Sequence, residues 1–391
     1  MTGRERLLGA INGKRSDRVP VTLFIQSQGH FLAQLCPDID PWDFEQTQKK
    51  VIDFQRSLGA DVHARMLFLI PHKPLWGAFY ILNTNVENEN WKITQEVEKS
   101  GSTTKYHQTI TTPEGVLTQV FSINEKPKGS FMYGCTKSPI ETPEDLRLAM
   151  KYEPSSTEEI RAEIKKQVGI IKDYIGDDGI VSSWCNGGIF NNIAGIFEQS
   201  DLYSLYLEDP EFYAQLMKFA EKRVYSYVQD LIDAGIDAID VGGNSASGFI
   251  GNSYFRESVM PYEMKLIDFI QKQGVPVVYH NCGLAMELLP SYLEMGIKNI
   301  EPWSPAPLGD RDFATLQAKV GDAFSVTSGL DQVNVIQKGT LEDVKKATIY
   351  AMEEGKKLNT FIMQNVDFLE YNTPIENIEM YVKTALENAK Y

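Results

Sequence analysis

The chain has 391 residues, of which 42% are hydrophobic and 23% are charged, the composition of a globular protein with a sizeable core and not of a disordered chain. Lysine and arginine number 38 against 53 aspartates and glutamates, a net charge of −15, which argues against a nucleic-acid partner because phosphate binding needs a basic surface. Four widely spaced cysteines do not suggest a disulfide framework. Without a signal-peptide pattern or an apolar run of about 18 residues, we expect a cytoplasmic protein that does not span a membrane.

The first third of the sequence predicts helices and strands, followed by a separate β unit. Thr2 and Glu5 have the spacing of a capping box, which predicts an opening helix. Polar and apolar residues then alternate from Trp91 to Ile123, which is typical of an antiparallel meander. We place this inserted meander at about residues 77–135. It serves either as a cover over a site or as a stabilising outer hairpin. The other elements predicted here are strands at 21–25 and 61–70 and a helix at 43–58.

After Pro143, predicted helices and short strands alternate. The helices are predicted at 157–174, 210–234, 254–273, 285–295, 341–354 and 375–389. The strands are predicted at 179–184, 238–241, 275–279, 299–302, 323–327 and 360–364. With the two N-terminal strands this rhythm gives a closed parallel barrel of eight strands. No glycine-rich dinucleotide loop follows the first strand, which disfavours a doubly wound sheet. We therefore predict an α/β fold: a single (β/α)8 TIM barrel domain over residues 1–391 with an N-terminal antiparallel β excursion.

A histidine and a cysteine stand together where the predicted strand at 275–279 ends. His280 and Cys282 are two residues apart, so an extended backbone would point both to the same side. Parallel barrels carry their active sites at this end of the strands. A catalytic zinc site usually has three protein ligands and one open position, and imidazole and thiolate are two of the usual ligands. The alternative is a strand end with a buried thiol. Candidates for a third ligand on the other loops are Cys185, Glu301, Asp367 and Glu370.

Three other polar residues after predicted strands are candidate catalytic residues. Asn244 and Asn281 are placed to orient a substrate or a metal ligand through hydrogen bonds, although local turns use asparagine in the same way. Glu301 lies at the end of the predicted sixth strand, where it serves as a ligand, as a catalytic group or as a helix cap.

Five segments in order along the chain match the signature segments of one superfamily. They are Arg4-Glu5-Arg6-Leu7-Leu8 with Asp17-Arg18-Val19-Pro20-Val21, Gly235-Ile236-Asp237-Ala238-Ile239, Phe255 with Val259-Met260-Pro261-Tyr262, Tyr279-His280-Asn281-Cys282-Gly283, and Thr373-Pro374-Ile375-Glu376-Asn377-Ile378. Together they resemble the uroporphyrinogen decarboxylase superfamily, which includes corrinoid-dependent methyltransferases. The resemblance covers nearly the whole chain and implies the eight-stranded barrel already predicted from the strand and helix rhythm.

The sequence departs from the decarboxylases of this superfamily at their site residues. Their arginine-rich segment after the first strand is replaced here by Phe24-Ile25-Gln26-Ser27-Gln28-Gly29-His30. Their essential aspartate falls near Met66. The resemblance therefore favours the methyltransferase branch over a decarboxylase-like lyase.

The resemblance to the methyltransferases implies a zinc site at His280 and Cys282. The family's further cysteine ligand, shortly before the Thr-Pro pair, corresponds here to Asp367, so the third ligand stays open between Asp367, Glu370, Glu301 and Cys185. A carboxylate ligand suits an oxygen-bearing substrate, such as a methyl ether or an alcohol, for example a methoxyarene. The chain has no D-x-H-x-x-G corrinoid-binding sequence, so the corrinoid (cobalamin) is expected on a partner protein.

The alternatives are a methylcorrinoid:thiol methyltransferase, a decarboxylase-like lyase and a non-catalytic ligand-binding barrel. The direction of methyl transfer is open, and so is the state of assembly, for which a homodimer is one candidate.

Overall fold

The structure is a computed structural model that describes residues 1–26, 30–66, 81–185, 187–197, 199–243 and 250–391. The strands of this part are β1 Val62–Met66, β2 Lys92–Ser100, β3 Thr103–Thr112, β4 Gly115–Glu125, β5 Phe131–Lys137, β6 Gly179–Trp184, β7 Ala238–Gly242, β8 Val277–His280, β9 Asn299–Trp303, β10 Ser325–Ser328 and β11 Phe361–Met363.

The α-helices longer than one turn are α1 Gly3–Ile11, α2 His30–Leu35, α3 Phe44–Ser57, α4 Pro143–Tyr152, α5 Glu158–Ile175, α6 Gly188–Ala194, α7 Gln199–Glu208, α8 Pro210–Asp233, α9 Met260–Lys272, α10 Leu289–Glu294, α11 Phe313–Lys319, α12 Leu341–Gly355 and α13 Ile375–Glu387. A short helix, Asn252–Tyr254, and a π-helical turn, Phe255–Val259, lead into α9. Among the described helices, none has both the length and the apolar character needed to cross a membrane.

A seven-stranded parallel sheet forms the centre of the protein. Its strand order is β1-β6-β7-β8-β9-β10-β11, and each neighbouring pair is parallel. β6 to β11 are almost entirely buried, as is usual for parallel strands covered on both faces. The carboxyl ends of all seven strands therefore lie at the same edge of the sheet.

The segment predicted as the first strand connects the two edges of this sheet. Val21 forms a parallel bridge with Met363 of β11, and Gln26 forms one with Arg65 of β1. The prediction of a regular strand at 21–25 was wrong, because side chains take part of its backbone hydrogen bonding. Val21 N donates to Asp61 Oδ2 at 3.0 Å, and Phe24 N donates to the Asn365 side chain at 2.9 Å.

The predicted helices and the predicted meander both occur. The capping box of Thr2 and Glu5 opens α1. The boundaries of the helices predicted from periodicity lie within a few residues of the observed ones. The exception is the helix predicted at 254–273, which begins with a π-helical turn before the α-helix. The sequence analysis missed five helices: α2, α4, α6, α7 and α11. All five have ten residues or fewer, too short for a clear helical periodicity.

The inserted β unit is a four-stranded antiparallel sheet with the order β2-β3-β4-β5. It ends at Lys137, two residues beyond the predicted boundary, while the predicted start at 77–80 lies outside the described residues. One face packs Phe121, Ile123 and Phe131 around Ile81. The outer strand β2 is exposed along most of its length.

Candidate metal centre

Three metal-capable side chains meet at the carboxyl ends of the parallel strands. His280, Cys282 and Asp367 each offer one ligand atom, and these atoms all lie within 4.8 Å of one another. His280 is the last residue of β8, Cys282 follows it by two residues, and Asp367 lies in the loop after β11. His280 is buried, whereas Cys282 and Asp367 are partly exposed. The cluster is therefore anchored in the sheet and open on one side.

A glycine allows β7 to pack closely against the histidine. Gly242, at the end of β7, has a φ of 96°, and a Cβ there would lie 2.3 Å from the carbonyl oxygen of His280. The next residue, Gly243, donates its N–H to the same oxygen at 2.8 Å. Any larger residue at Gly242 would push β7 away from His280.

Asn365 holds the loop that carries the aspartate. Its side chain accepts from Phe24 N at 2.9 Å and donates to Phe24 O at 3.1 Å and to Asp367 O at 2.6 Å. Phe368 N donates to Asp367 Oδ1 at 2.8 Å. These bonds fix both the backbone and the carboxylate of Asp367 relative to the segment that joins the sheet edges.

Glu301 connects the histidine to a buried arginine. Nδ1 of His280 lies 3.3 Å from Glu301 Oε1, and Nη2 of Arg65 donates to Glu301 Oε2. Arg65 also donates to Asp240 Oδ1 at 3.0 Å, and Ser182 donates to the other oxygen of Asp240 at 2.6 Å. Arg65 is 1% exposed, and both carboxylates are equally buried. The guanidinium therefore compensates two negative charges that would otherwise be buried unpaired.

Within this network the pKa of His280 is raised and the pKa of Glu301 is lowered. Burial would lower the pKa of His280, but hydrogen bonding to Cys282 and Glu301 raises it to about 10. Burial would raise the pKa of Glu301, but the charge of Arg65 and the bond to His280 lower it to about 2. Burial raises the pKa of Asp367, and His280 opposes this shift. Acidic groups surround the imidazole, so the cluster complements a cation.

Aromatic rings enclose the histidine. The ring centroid of Trp184 lies 4.9 Å from that of His280, and the centroid of Phe24 lies 5.8 Å from it, both edge to face. The guanidinium carbon of Arg65 lies 4.3 Å from the Phe24 ring centroid. This packing limits the orientations of the imidazole ring.

In the described part of the chain, Glu370 and Cys185 are not among the residues whose ligand atoms converge here. Glu370 Oε2 lies 2.9 Å from Nδ1 of His30. Cys185 is fully buried, and its backbone N–H donates to the carbonyl of Asp240. Burial and the nearby Glu263 carboxylate raise the pKa of the Cys185 thiol well above its usual value, which opposes formation of the thiolate that binds metals.

The predicted catalytic residues have different surroundings. Asn281 is buried, its backbone N–H donates to Glu301 O at 2.8 Å, and its side chain donates to the hydroxyl of Tyr292. Asn244 lies outside the described residues. Glu301 contacts His280, as described above. The sequence analysis did not identify Arg65, although a charged residue inside a predicted strand of a parallel barrel was a usable signal, because such strands are buried on both faces.

The fold and the cluster describe a parallel α/β protein with a candidate metal site at the carboxyl ends of its strands. The sequence profile of the uroporphyrinogen decarboxylase (URO-D) family matches residues 135–387. The chain belongs to this family.

The similar proteins include two methyltransferases and one decarboxylase. Methylcobamide:CoM methyltransferase MtbA of Methanosarcina mazei is 26% identical over 177 residues, which are 45% of this chain and 49% of that protein. MtbA of Methanosarcina acetivorans is 26% identical over 182 residues, 46% of this chain and 50% of that protein. A uroporphyrinogen decarboxylase of Corynebacterium diphtheriae is 27% identical over 140 residues, 34% of this chain and 39% of that protein. The matches thus span about half or less of these curated relatives.

A solved methyltransferase structure from Methanosarcina mazei superposes with a TM-score of 0.72, at 14% identity and with 99% of both chains covered. The two proteins share their fold along their whole length. The predicted resemblance to the corrinoid-dependent methyltransferase branch of the superfamily is confirmed by the family profile and these relatives.

Proposed function

We propose that this protein is a zinc-dependent methyltransferase that moves a methyl group between a small methylated substrate and a corrinoid carried by a partner protein. The observation that carries the proposal is the convergence of His280, Cys282 and Asp367 within 4.8 Å in a chain similar to methylcobamide:CoM methyltransferases. As a finer description of the fold, we propose a (β/α)8 barrel in which residues 21–26 take the place of the eighth strand.

The three side chains fit a zinc ion by their chemistry. Imidazole, thiolate and carboxylate are its usual ligands, and three protein ligands leave a position for a substrate. When bound, zinc would act as a Lewis acid that stabilises the anion left after loss of the methyl group.

The residues around the ligands hold His280 in one state. Glu301 favours a proton on Nδ1 of His280, so a metal that displaces the Nε2 proton would bind at Nε2. Arg65 keeps Glu301 ionised and fixed through its hydrogen bond. Asn281 lies beside Glu301 and has a buried Oδ1 that accepts no hydrogen bond from a described residue, so it remains our candidate for orienting a substrate, together with Asn244.

The carboxylate ligand suggests the class of substrate. With Asp367 in place of a second thiolate the site is harder, which favours an oxygen-bearing methyl donor such as a methyl ether, a methoxyarene or methanol. The second candidate is a methylcorrinoid:thiol methyltransferase, which the names of the relatives favour because CoM is a thiol. In either case we expect the corrinoid protein to approach the carboxyl ends of the strands, and we expect the reaction in the cytoplasm.

Metal analysis tests the site directly. Protein purified without chelators is expected to hold about one equivalent of zinc, and His280→Ala and Cys282→Ser should lose most of it. His107→Ala and Cys135→Ser are matched controls, because both residues lie in the antiparallel sheet. Wild-type protein with less than about half an equivalent, or an unchanged metal content in His280→Ala, would refute the metal assignment.

Methyl transfer is tested with a Co(I) corrinoid followed by visible spectroscopy. Methoxyarenes, methanol, methylamines and methyl thioethers are offered as donors, and thiols are offered to the methylated corrinoid as acceptors. Methylation of Co(I) by an oxygen-bearing donor supports the first candidate, and demethylation by a thiol alone supports the second. Release of CO₂ from a carboxylated substrate without corrinoid would instead support a decarboxylase-like lyase.

A further inference from the structure

A groove lined by tyrosines lies apart from the candidate metal centre. It has a volume of about 350 Å³ and is lined by Tyr203, Tyr206, Leu207, Ile250, Ser253, Tyr254 and Glu257. We call it the tyrosine groove. One wall belongs to α7 and the other to the segment that follows β7 and leads into α9. None of its lining residues belongs to the His280, Cys282 and Asp367 cluster, and its volume lies in the range of small-molecule sites.

The tyrosine rings of the groove are held at right angles. The ring of Tyr254 lies at 86° to Tyr203 and at 82° to Tyr206, with centroid distances of 4.9 Å in both pairs. The hydroxyl of Tyr254 donates to that of buried Tyr213 at 2.9 Å. Perpendicular packing fixes the rings relative to one another, and the negative face of an aromatic ring attracts cations.

The charge in the described lining of the groove is negative. The carboxylate of Glu257 accepts a hydrogen bond from the Tyr206 hydroxyl at 2.6 Å, which holds the charge against the aromatic wall. The lining contains no lysine or arginine within the described part of the chain.

We propose that the tyrosine groove binds an organic cation with an alkylated ammonium group. The rings and the carboxylate supply the attraction for a positive charge. Leu207, which is 76% exposed, and Ile250 supply apolar contacts for methyl groups. A primary ammonium has three N–H donors to satisfy, and Glu257 is the one charged acceptor in the described lining. The groove therefore suits a cation whose donors are replaced by methyl groups. This inference does not depend on the proposed methyl transfer.

Calorimetric titration of the full-length protein with choline is the first test, with 3,3-dimethylbutan-1-ol as the neutral probe of the same shape. Choline is expected to bind at least about tenfold more tightly than the neutral alcohol, since cation–π attraction and the carboxylate act only on the charged ligand. n-Butylammonium should bind more weakly than choline. The proposal is overturned if choline and the alcohol bind equally well, or if n-butylammonium binds more tightly than choline. It is also overturned if choline does not bind at about 20 mM, a concentration at which even weak small-ligand binding is detected.

Substitutions of groove residues test whether choline binds in the groove. Tyr206→Leu and Glu257→Gln should each weaken choline binding about fivefold or more, whereas Tyr206→Phe, which keeps the ring, should retain most of it. Asp53→Asn is the matched control, because Asp53 is an exposed carboxylate that also accepts from a tyrosine hydroxyl, that of Tyr174. Unchanged affinity in both Tyr206→Leu and Glu257→Gln, with circular dichroism showing folded protein, would place choline elsewhere and overturn the assignment.

Alkylated ammonium groups occur free in solution and in the headgroup of phosphatidylcholine. Sedimentation with phosphatidylcholine vesicles separates the two sources. Choline binding without vesicle binding supports a free cation as the ligand. Binding to the vesicles that is lost in Glu257→Gln supports the headgroup, and both results are consistent with the proposed chemistry of the groove.

Discussion

Nδ1 of His280 lies 3.3 Å from Oε1 of Glu301, and the other oxygen of Glu301 is bound by Arg65. Glu301 therefore connects a candidate metal ligand on β8 with a buried cation on β1, across the interior of the parallel sheet. Carboxylates that bind the second nitrogen of a histidine fix its tautomer and increase its affinity for a metal. Glu301 thus has a role at this site without being a ligand.

The first prediction concerns Glu301→Gln. The neutral amide no longer favours the Nδ1 proton of His280 as strongly, so zinc affinity should fall by about 10- to 100-fold. Competition with a chromophoric chelator measures this affinity, and the urea midpoint separates it from a loss of folded protein. If zinc affinity stays within about twofold of wild type in folded protein, Glu301 does not position His280.

The second prediction distinguishes two acidic residues of the same loop. Asp367 is within reach of the His280 and Cys282 ligand atoms, whereas Glu370 lies 2.9 Å from His30. Asp367→Asn should therefore lower zinc affinity by at least about tenfold, and Glu370→Gln should leave it nearly unchanged. The same chelator competition applies to both. The reverse order would make Glu370 the third ligand.

Sequence patterns were sufficient to predict the strand and helix rhythm and two members of the cluster. His280 and Cys282 could be paired because they are two residues apart after a buried strand. Asp367 is 85 residues beyond Cys282 in the sequence, so its proximity depends on the order of strands in the sheet, and the sequence left four candidates for this position. Its place after the predicted last strand put Asp367 among these candidates, and the resemblance to the family aligned it with the further cysteine ligand.

The contacts between strands could not be predicted in this way. Arg65 lies in the buried strand β1, and its partners Asp240 and Glu301 come from two other strands of the sheet. A single sequence shows that a buried charge needs a partner but not which one. The segment at 21–26 was predicted as a regular strand, and its irregularity was missed because two of its backbone N–H groups, those of Val21 and Phe24, bond to the side chains of Asp61 and Asn365.

The third prediction tests this buried ion network. Arg65→Leu removes the cation between two buried carboxylates, so the free energy of unfolding should fall by about 3 to 5 kcal/mol. Arg147→Leu is the matched control, because Arg147 also pairs with two carboxylates, Glu114 and Glu144, but at an exposed position. Its effect should stay below about 1 kcal/mol. Urea unfolding followed by circular dichroism measures both, and equal effects would show that burial of the network does not matter.

The last prediction concerns Glu263, a buried carboxylate on α9 that no proposed function uses. Its Oε1 accepts from Ile189 N at 2.9 Å at the start of α6. Burial raises its pKa to about 8, although hydrogen bonds from the N–H groups of Ile189 and Phe190 oppose the shift. Below the usual pKa of 4.5, the folded and unfolded chains both carry the proton. Above that value the unfolded chain loses its proton while the folded chain keeps it.

Between about pH 4.5 and pH 8, Glu263 should therefore lower the stability as the pH rises, on the order of 1 kcal/mol per pH unit, because the unfolded state binds fewer protons there. Glu263→Gln keeps an acceptor for Ile189 N but cannot ionise. Its stability relative to wild type should accordingly increase from pH 5 to pH 8 in urea unfolding experiments. Parallel curves for Glu263→Gln and wild type would mean that Glu263 titrates alike in the folded and unfolded chain.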